Sequence, residues 1–176
     1  KNKGKQALQD ICVVIHLAAR AHIMTDNSSD PVAEFRTINR DATLALARIA
    51  ADAGVKRFIY LSSIGVNGNN TFRPFSENNE PMPHNHYALS KYEAEQGLLA
   101  LAKETGMEVV IIRPPLIYGL NAPGNFSSLM AWINRGTPLP FGAIHNHRSF
   151  VALDNLVSFI IHCIEHPKAA NEIFLV

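Results

Sequence analysis

The sequence predicts an α/β fold: a doubly wound parallel sheet with helices on both faces. Three observations carry this. Short apolar runs at residues 11–17, 57–61 and 109–112 alternate with longer segments of helical periodicity. That alternation calls for right-handed crossovers and a parallel sheet. Each run is followed at once by residues suited to a ligand: Ala18-Ala19, Ser62-Ser63 and Arg113-Pro114-Pro115. Open α/β sheets bind their ligands at the carboxyl ends of the strands, where these residues stand.

Composition sets the outer bounds. The 176 residues are enough for one domain with a core, and 47% hydrophobic with 18% charged is a globular composition. A net charge of +1 argues against a partner held by charge, either nucleic acid or an acidic membrane. No apolar run is long enough for a membrane span. The basic start, Lys1 to Lys5, lacks the long apolar stretch of a signal peptide behind it. A cytoplasmic location is expected. Cys12 and Cys163 lie in apolar segments and are expected as buried free thiols, with a disulfide left open.

The elements follow in order. Residues 11–17 are apolar and β-branched, which suits a strand buried on both faces. Ala18-Ala19 behind it allow close approach, either of a ligand or of a packed helix. Asp30-Pro31 is a helix start, with the cap before the proline. Phe35, Ile38, Ala42, Ala45, Leu46, Ile49 and Ala53 continue it, and Gly54 closes it. Asn39 within this helix is either solvent-facing or a buried amide that fixes a neighbouring loop. The second strand, 57–61, ends on Ser62-Ser63. A long loop with Pro74, Pro81 and Pro83 leads to a helix carrying Tyr87 and Lys91 as far as Gly106. The third strand, 109–112, is stopped by Pro114-Pro115. A helix over Phe126, Leu129, Met130 and Ile133 is expected, then an extended stretch from Pro138 to Gly142. A short strand at 148–151, a helix capped by Asp154 and stopped by Pro167, and a last strand at 173–176 complete the reading.

Tyr87-Ala-Leu-Ser-Lys91 carries the clearest chemistry. A spacing of four puts the phenol and the amine on one helix face, one turn apart. A neighbouring ammonium stabilises a phenolate and is expected to lower its pKa. The histidine pairs His84/His86 and His145/His147 lie in loops without a cysteine or carboxylate set of familiar spacing, so no metal site is expected. Arg20 and His22 follow the first strand, where either substrate contact or an exposed loop role is open. Tyr118-Gly119 suits packing as well as substrate contact. Phe126, Met130 and Trp132 suit helix packing more than base stacking.

The chain resembles the extended short-chain dehydrogenase/reductase family, in particular its nucleotide-sugar epimerases and reductases. The resemblance rests on His16-Leu17-Ala18-Ala19, Asn39, Ser62-Ser63 with Val66-Asn67-Gly68, Tyr87-xxx-Lys91, Arg113-Pro114-Pro115-xx-Tyr118-Gly119 and Arg148-Ser149-Phe150-Val151, in that order. It implies an NAD(P)-binding Rossmann-like domain. Tyr87 would be the acid/base, Lys91 would lower its pKa and hold the nicotinamide ribose, and Ser63 would share the proton network. Leu17, Ala18, Ala19, Asn39, Ser62, Pro114 and Pro115 would line or support the cofactor. Ser63, Asn125 and Arg148 would meet the substrate, the last two at its diphosphate. The implied cofactor is NAD or NADP, the substrate a nucleotide sugar, UDP-linked, and the assembly a homodimer. The implied role is 4-epimerisation or 4-keto reduction in surface polysaccharide precursor synthesis.

Two departures qualify this. The family's glycine-rich turn is absent, since Gly4 is the only glycine before Gly54. The chain is therefore expected to be part of a longer enzyme, clipped at both ends. Residues 1–120 would hold the remaining Rossmann part with the catalytic residues. Residues 121–176 would hold part of the substrate region and a returning strand. Alone, the chain is expected to bind NAD poorly and lack activity, and the exposed edge of its first strand could pair with another chain. Ser63 is followed by Ile64-Gly65, where dehydratases of the family carry an acidic pair. Neither residue can move a proton, so dehydration is not expected. Leu116 replaces an asparagine of many epimerases, and the double proline also occurs in steroid dehydrogenase-like relatives. A non-sugar alcohol is thus an alternative substrate, and a non-catalytic dinucleotide sensor is an alternative role.

Overall fold

The computed structural model describes residues 2–21, 30–120, 125–136, 138–139, 142–143 and 146–176; for residues 2, 3, 125 and 127 it describes the backbone only. His22, Pro140, Phe141 and His145 lie outside the described residues, as does the side chain of Asn125. No described helix is long and apolar enough to cross a membrane.

The strands are β1 (Val13–His16), β2 (Arg57–Leu61), β3 (Glu108–Arg113), β4 (Leu116–Tyr118), β5 (Phe150–Ala152) and β6 (Ile173–Leu175). The helices are α1 (Asn2–Ala7), α2 (Pro31–Phe35), α3 (Ala42–Asp52), α4 (His86–Thr105), α5 (Asn125–Asn134) and α6 (Leu153–Glu165). The main sheet has the order β1-β2-β3-β6 and is parallel throughout, with Val14 beside Phe58, Phe58 beside Val109 and Ile112 beside Phe174. β4 and β5 form a second, two-stranded parallel sheet.

Side-chain alternation divides the core. Phe58, Tyr60, Val109 and Ile111 face α3 and α4, meeting Ala47, Ala50, Ala94, Leu98 and Leu101. Ile59, Val110 and Ile112 face α6, meeting Leu156, Ile160 and Cys163. Helices on both faces of a parallel sheet make the doubly wound arrangement that the alternation of segments predicts. Phe58 is fully buried, and burying such a side chain contributes about 1.5–3 kcal/mol. Arg57 clamps the far end of α6: its Nη1 donates to the carbonyls of Cys163, Ile164 and His166, and its Nη2 pairs with Glu108.

Several expectations need correction. β2 and β3 are buried on both faces, but β1 is not. It lies at the sheet edge, in line with the exposed edge expected for the first strand, with Ile15 38% exposed and Leu17 56%. Cys12 is exposed and Cys163 buried, and both are free. The helix from Asp30 to Ala53 contains a π-helical turn at Arg36–Asp41. Arg148 and Ser149 precede β5, which starts at Phe150. Asp154 lies in the first turn of α6, and the cap position is Ala152, whose side chain has no oxygen to offer. β4 resumes directly after Pro114-Pro115, where a loop is expected, because Leu116–Tyr118 find partners in β5. α1 has no apolar periodicity to announce it.

Candidate active site

The carboxyl ends of β1, β2 and β3 converge on the amino end of α4. Asn85 caps that helix, its Oδ1 accepting from the Ala88 N–H at 2.7 Å, and so sets Tyr87 in the first turn. Gly65 lies against the helix start: a Cβ there would be in ordinary contact, 3.5 Å from Ala88 Cβ and 3.4 Å from Ser63 Oγ. The ladder between β2 and β3 runs on past the strands, with the Ser62 N–H donating to Ile112 O and the Ile64 N–H to Pro114 O. Ser63 and Pro114 are thereby neighbours. Ser63 Oγ accepts from the Gly65 N–H at 3.1 Å. The loop after β2 folds back on itself, with the Met82 N–H on Val66 O and the Asn67 amide on Ser76 O.

Lys91 is the most constrained member. It is 1% exposed, its Nζ donates to Leu61 O at 2.7 Å, and it sits 4.5 Å from the centre of the Tyr60 ring. Burial lowers its pKa to about 8, partly offset by Glu95 one turn further along. Burial pushes the Tyr87 phenol above its ordinary value. This is opposite to the lowering expected from a neighbouring ammonium, and its cause is desolvation while the Lys91 charge faces the Leu61 carbonyl. His16, beside Thr43 Oγ1 at 2.9 Å and stacked on Tyr60, is held below its ordinary value by burial and then by Lys91.

Asn39 resolves in favour of the buried amide. The π-helical turn adds a residue to the helix and turns this side chain inward; such turns recur at functional sites. Its Oδ1 accepts from the Arg20 N–H, and its Nδ2 donates to Arg20 O and to Ser90 Oγ. Ser90 Oγ in turn donates to Tyr87 O. The loop after β1 is thus tied through Asn39 and Ser90 to the turn that bears Tyr87. Phe35 packs edge-on against Tyr87, and the Arg20 guanidinium lies over the Phe35 ring.

The structure therefore gathers Ser62, Ser63, Tyr87, Lys91, Asn39, Pro114 and Pro115, with Leu17, Ala18 and Ala19 on the adjoining strand end. Ser62 Oγ is buried and has no hydrogen-bond partner among the described residues. Arg148 stands apart, exposed ahead of β5, and no described hydrogen bond or ion pair joins it to this group. Phe126 packs between Tyr118 and Phe150, both of which keep part of their surface exposed. No cluster of three metal-ligating side chains occurs among the described residues.

Three supporting residues escape a reading of the chemistry-bearing motifs alone: Asn85, Ser90 and Glu95. Arg113 is part of a motif, but its pairing with Glu95 is not legible there. Glu95 follows Lys91 by four residues, and that spacing is the one signal that could have marked it.

Comparison with known proteins decides the family. The model of the NAD dependent epimerase/dehydratase family matches residues 2–176. The chain belongs to this family. UDP-glucose 4-epimerase of Vibrio cholerae is 51% identical over 172 residues, which is 96% of this chain and 52% of that protein. N-acetyl-alpha-D-glucosaminyl-diphospho-ditrans,octacis-undecaprenol 4-epimerase of Escherichia coli O157:H7 is 31% identical over 171 residues, 96% of this chain and 50% of that one. Among solved structures, UDP-glucuronic acid 4-epimerase from Bacillus cereus, in complex with UDP-glucuronic acid and NAD, superposes with a TM-score of 0.83 at 26% identity. It covers 99% of this chain, which spans 56% of that one. The chain thus spans about half the length of the relatives it matches. As a member of the epimerase/dehydratase family it has the family's parallel α/β sheet, with Tyr87 and Lys91 beside the strand ends.

Proposed function

We propose that the whole protein containing this chain is an NAD-dependent nucleotide-sugar 4-epimerase, acting on a UDP-linked sugar with Tyr87 as acid and base. The observation that carries this is the anchoring of Lys91. Its Nζ bonds the Leu61 carbonyl, two residues before Ser63, while Tyr87 stands one turn away on the same helix face. The names of the relatives support the 4-position of a nucleotide sugar.

The residues present fit the ring and ribose end of a dinucleotide. Leu17, Ala18 and Ala19 offer a small apolar floor, Lys91 an amine, and Ser62 a buried hydroxyl without a partner among the described residues. Bound NAD supplies the acceptor and donor of hydride. The chain supplies proton transfer and alignment. Ser63 holds the reacting sugar oxygen by a hydrogen bond. In the oxidising direction Tyr87, as the phenolate, takes the hydroxyl proton from that oxygen, and the phenol so formed returns it to the keto oxygen in the reducing direction. Burial favours the phenol, so the phenolate that opens the cycle relies on the ammonium of Lys91 one turn away. The same half-reaction alone would make a 4-keto reductase. Ile64 and Gly65 have no proton to give, which favours epimerisation over dehydration. In the same reading residues 1–120 hold the catalytic part. Residues 121–176 hold part of the substrate region, with Asn125 and Arg148 toward the diphosphate, together with a returning strand. A cytoplasmic homodimer making surface polysaccharide precursors completes the proposal.

The test is to incubate the whole protein with UDP-glucose and NAD and follow the sugar by proton NMR. UDP-galactose accumulating to equilibrium is expected. A 4-keto-6-deoxy product would contradict the assignment, because it requires the dehydration step that Ile64 and Gly65 cannot serve.

A further inference from the structure

Three charges lie wholly inside one small core: Lys91 at 1% exposure, Arg113 at 2% and Glu95 at 0%. Arg113 and Glu95 meet fork to fork, Nε on Oε1 at 3.0 Å and Nη2 on Oε2 at 2.6 Å. The remaining arm, Nη1, donates to Asn67 Oδ1 at 3.0 Å, and the Asn67 amide holds Ser76 O. One buried pair therefore joins the middle of α4, the last residue of β3 and the loop that follows Ser63. A buried ion pair is a poor way to gain stability, because the desolvation of two charges offsets their attraction. Its planar two-point geometry does fix distance and orientation.

We propose that Glu95 and Arg113 are positioning residues, holding Lys91 and Tyr87 in register with the strand ends that carry Ser63 and Pro114. Arg113 immediately precedes Pro114, and Glu95 is one turn from Lys91, which is one turn from Tyr87. Any slide of α4 along β3 would break both arms of the fork. The pair also sets the charge around the amine. The groups facing Lys91 are His16 from β1, Tyr60 from β2, and Tyr87 and Glu95 from α4. From β3, Arg113 acts on it through Glu95. Glu95 is the one carboxylate of this set, so it is what keeps a buried amine protonated near neutral pH. The inference rests on the acid/base reading of Tyr87 and Lys91.

The test reads Lys91 directly, by NMR titration of the whole protein carrying labelled lysine, so that absence of turnover would sink the proposed function and leave this result standing. In the parent protein Lys91 is expected to titrate near 8. In Glu95→Gln its midpoint falls by about one pH unit, since the compensating charge is gone. In Arg113→Gln it rises by a similar amount, because Glu95 is freed to act on Lys91 alone. A merely structural pair would leave both midpoints unchanged or move them the same way, and either result overturns the proposal. Should a single variant fail to fold, the double variant Glu95→Gln/Arg113→Gln keeps an amide pair without charge. Its Lys91 midpoint falls below that of the parent, and an unchanged midpoint there counts against the proposal.

Discussion

Lys91 is almost wholly out of water and still needs a proton for its task, so its ionisation is coupled to folding. The folded chain releases that proton at about pH 8, whereas the unfolded chain holds it to 10.5. Between those values the unfolded state binds more protons, so stability rises with pH. Tyr60, Tyr87 and Cys163 act the other way. Burial raises the phenols above 10.0 and the thiol above 9.0, and their contribution is lost as the pH climbs beyond those values. The clean window is therefore about pH 8 to 9, and urea unfolding there should show a gain of about 1 kcal/mol. A Lys91→Met variant should lack the gain. A flat or falling profile in the parent chain would mean that Lys91 is not desolvated as described. At this scale Tyr87-xxx-Lys91 and Ser63 are legible from the sequence because their spacing is local. The pairing of Glu95 with Arg113 is not, since the two are separated by 18 residues and meet only when α4 lies on β3.

α4 is the element on which the site depends, and its packing against α3 is tight at one place. A Cβ on Gly97 would lie 2.6 Å from both terminal carbons of Leu44 and 3.2 Å from its Cγ. Rotating the end of the leucine only exchanges one methyl for the other, and few rotamers are open to it within a helix. Gly97→Ala gains about 1 kcal/mol of helix propensity, but overpacking costs about 1–3 kcal/mol. The net expectation is a loss of about 1 kcal/mol in chemical denaturation. Adding Leu44→Ala should remove the clash, so that Gly97→Ala becomes stabilising in that background. Additive effects of the two substitutions would contradict the contact. Helix ends at this scale are largely legible. Asp30 caps before Pro31 with Oδ1 on the Ala33 N–H, and Gly54 and Gly106 follow their helices at φ +84° and +76°. Asp154 misleads, because the chain enters α6 straight from β5. β4 and β1 mislead for a different reason: a strand's existence and its exposure depend on partners distant in sequence.

Across the whole molecule, three parallel strands deliver their carboxyl ends to one place, and the amino end of α4 closes on it. A parallel sheet follows from the alternation of segments, so the fold class is legible. The π-helical turn that aims Asn39 inward is not, since its residues keep ordinary helical periodicity. The absent acidic pair after Ser63 is legible, and the proposal of epimerisation over dehydration rests on it. The lowering of the Tyr87 pKa is the point at which residue chemistry misleads, because burial of the phenol raises it instead. The account rests on Tyr87 as the group that moves the proton. Its most direct test is Tyr87→Phe in the whole protein, assayed for interconversion of UDP-glucose and UDP-galactose, with circular dichroism to verify the fold. The account predicts a rate at least about 100-fold lower with the fold intact; a correctly folded variant with undiminished turnover would contradict it.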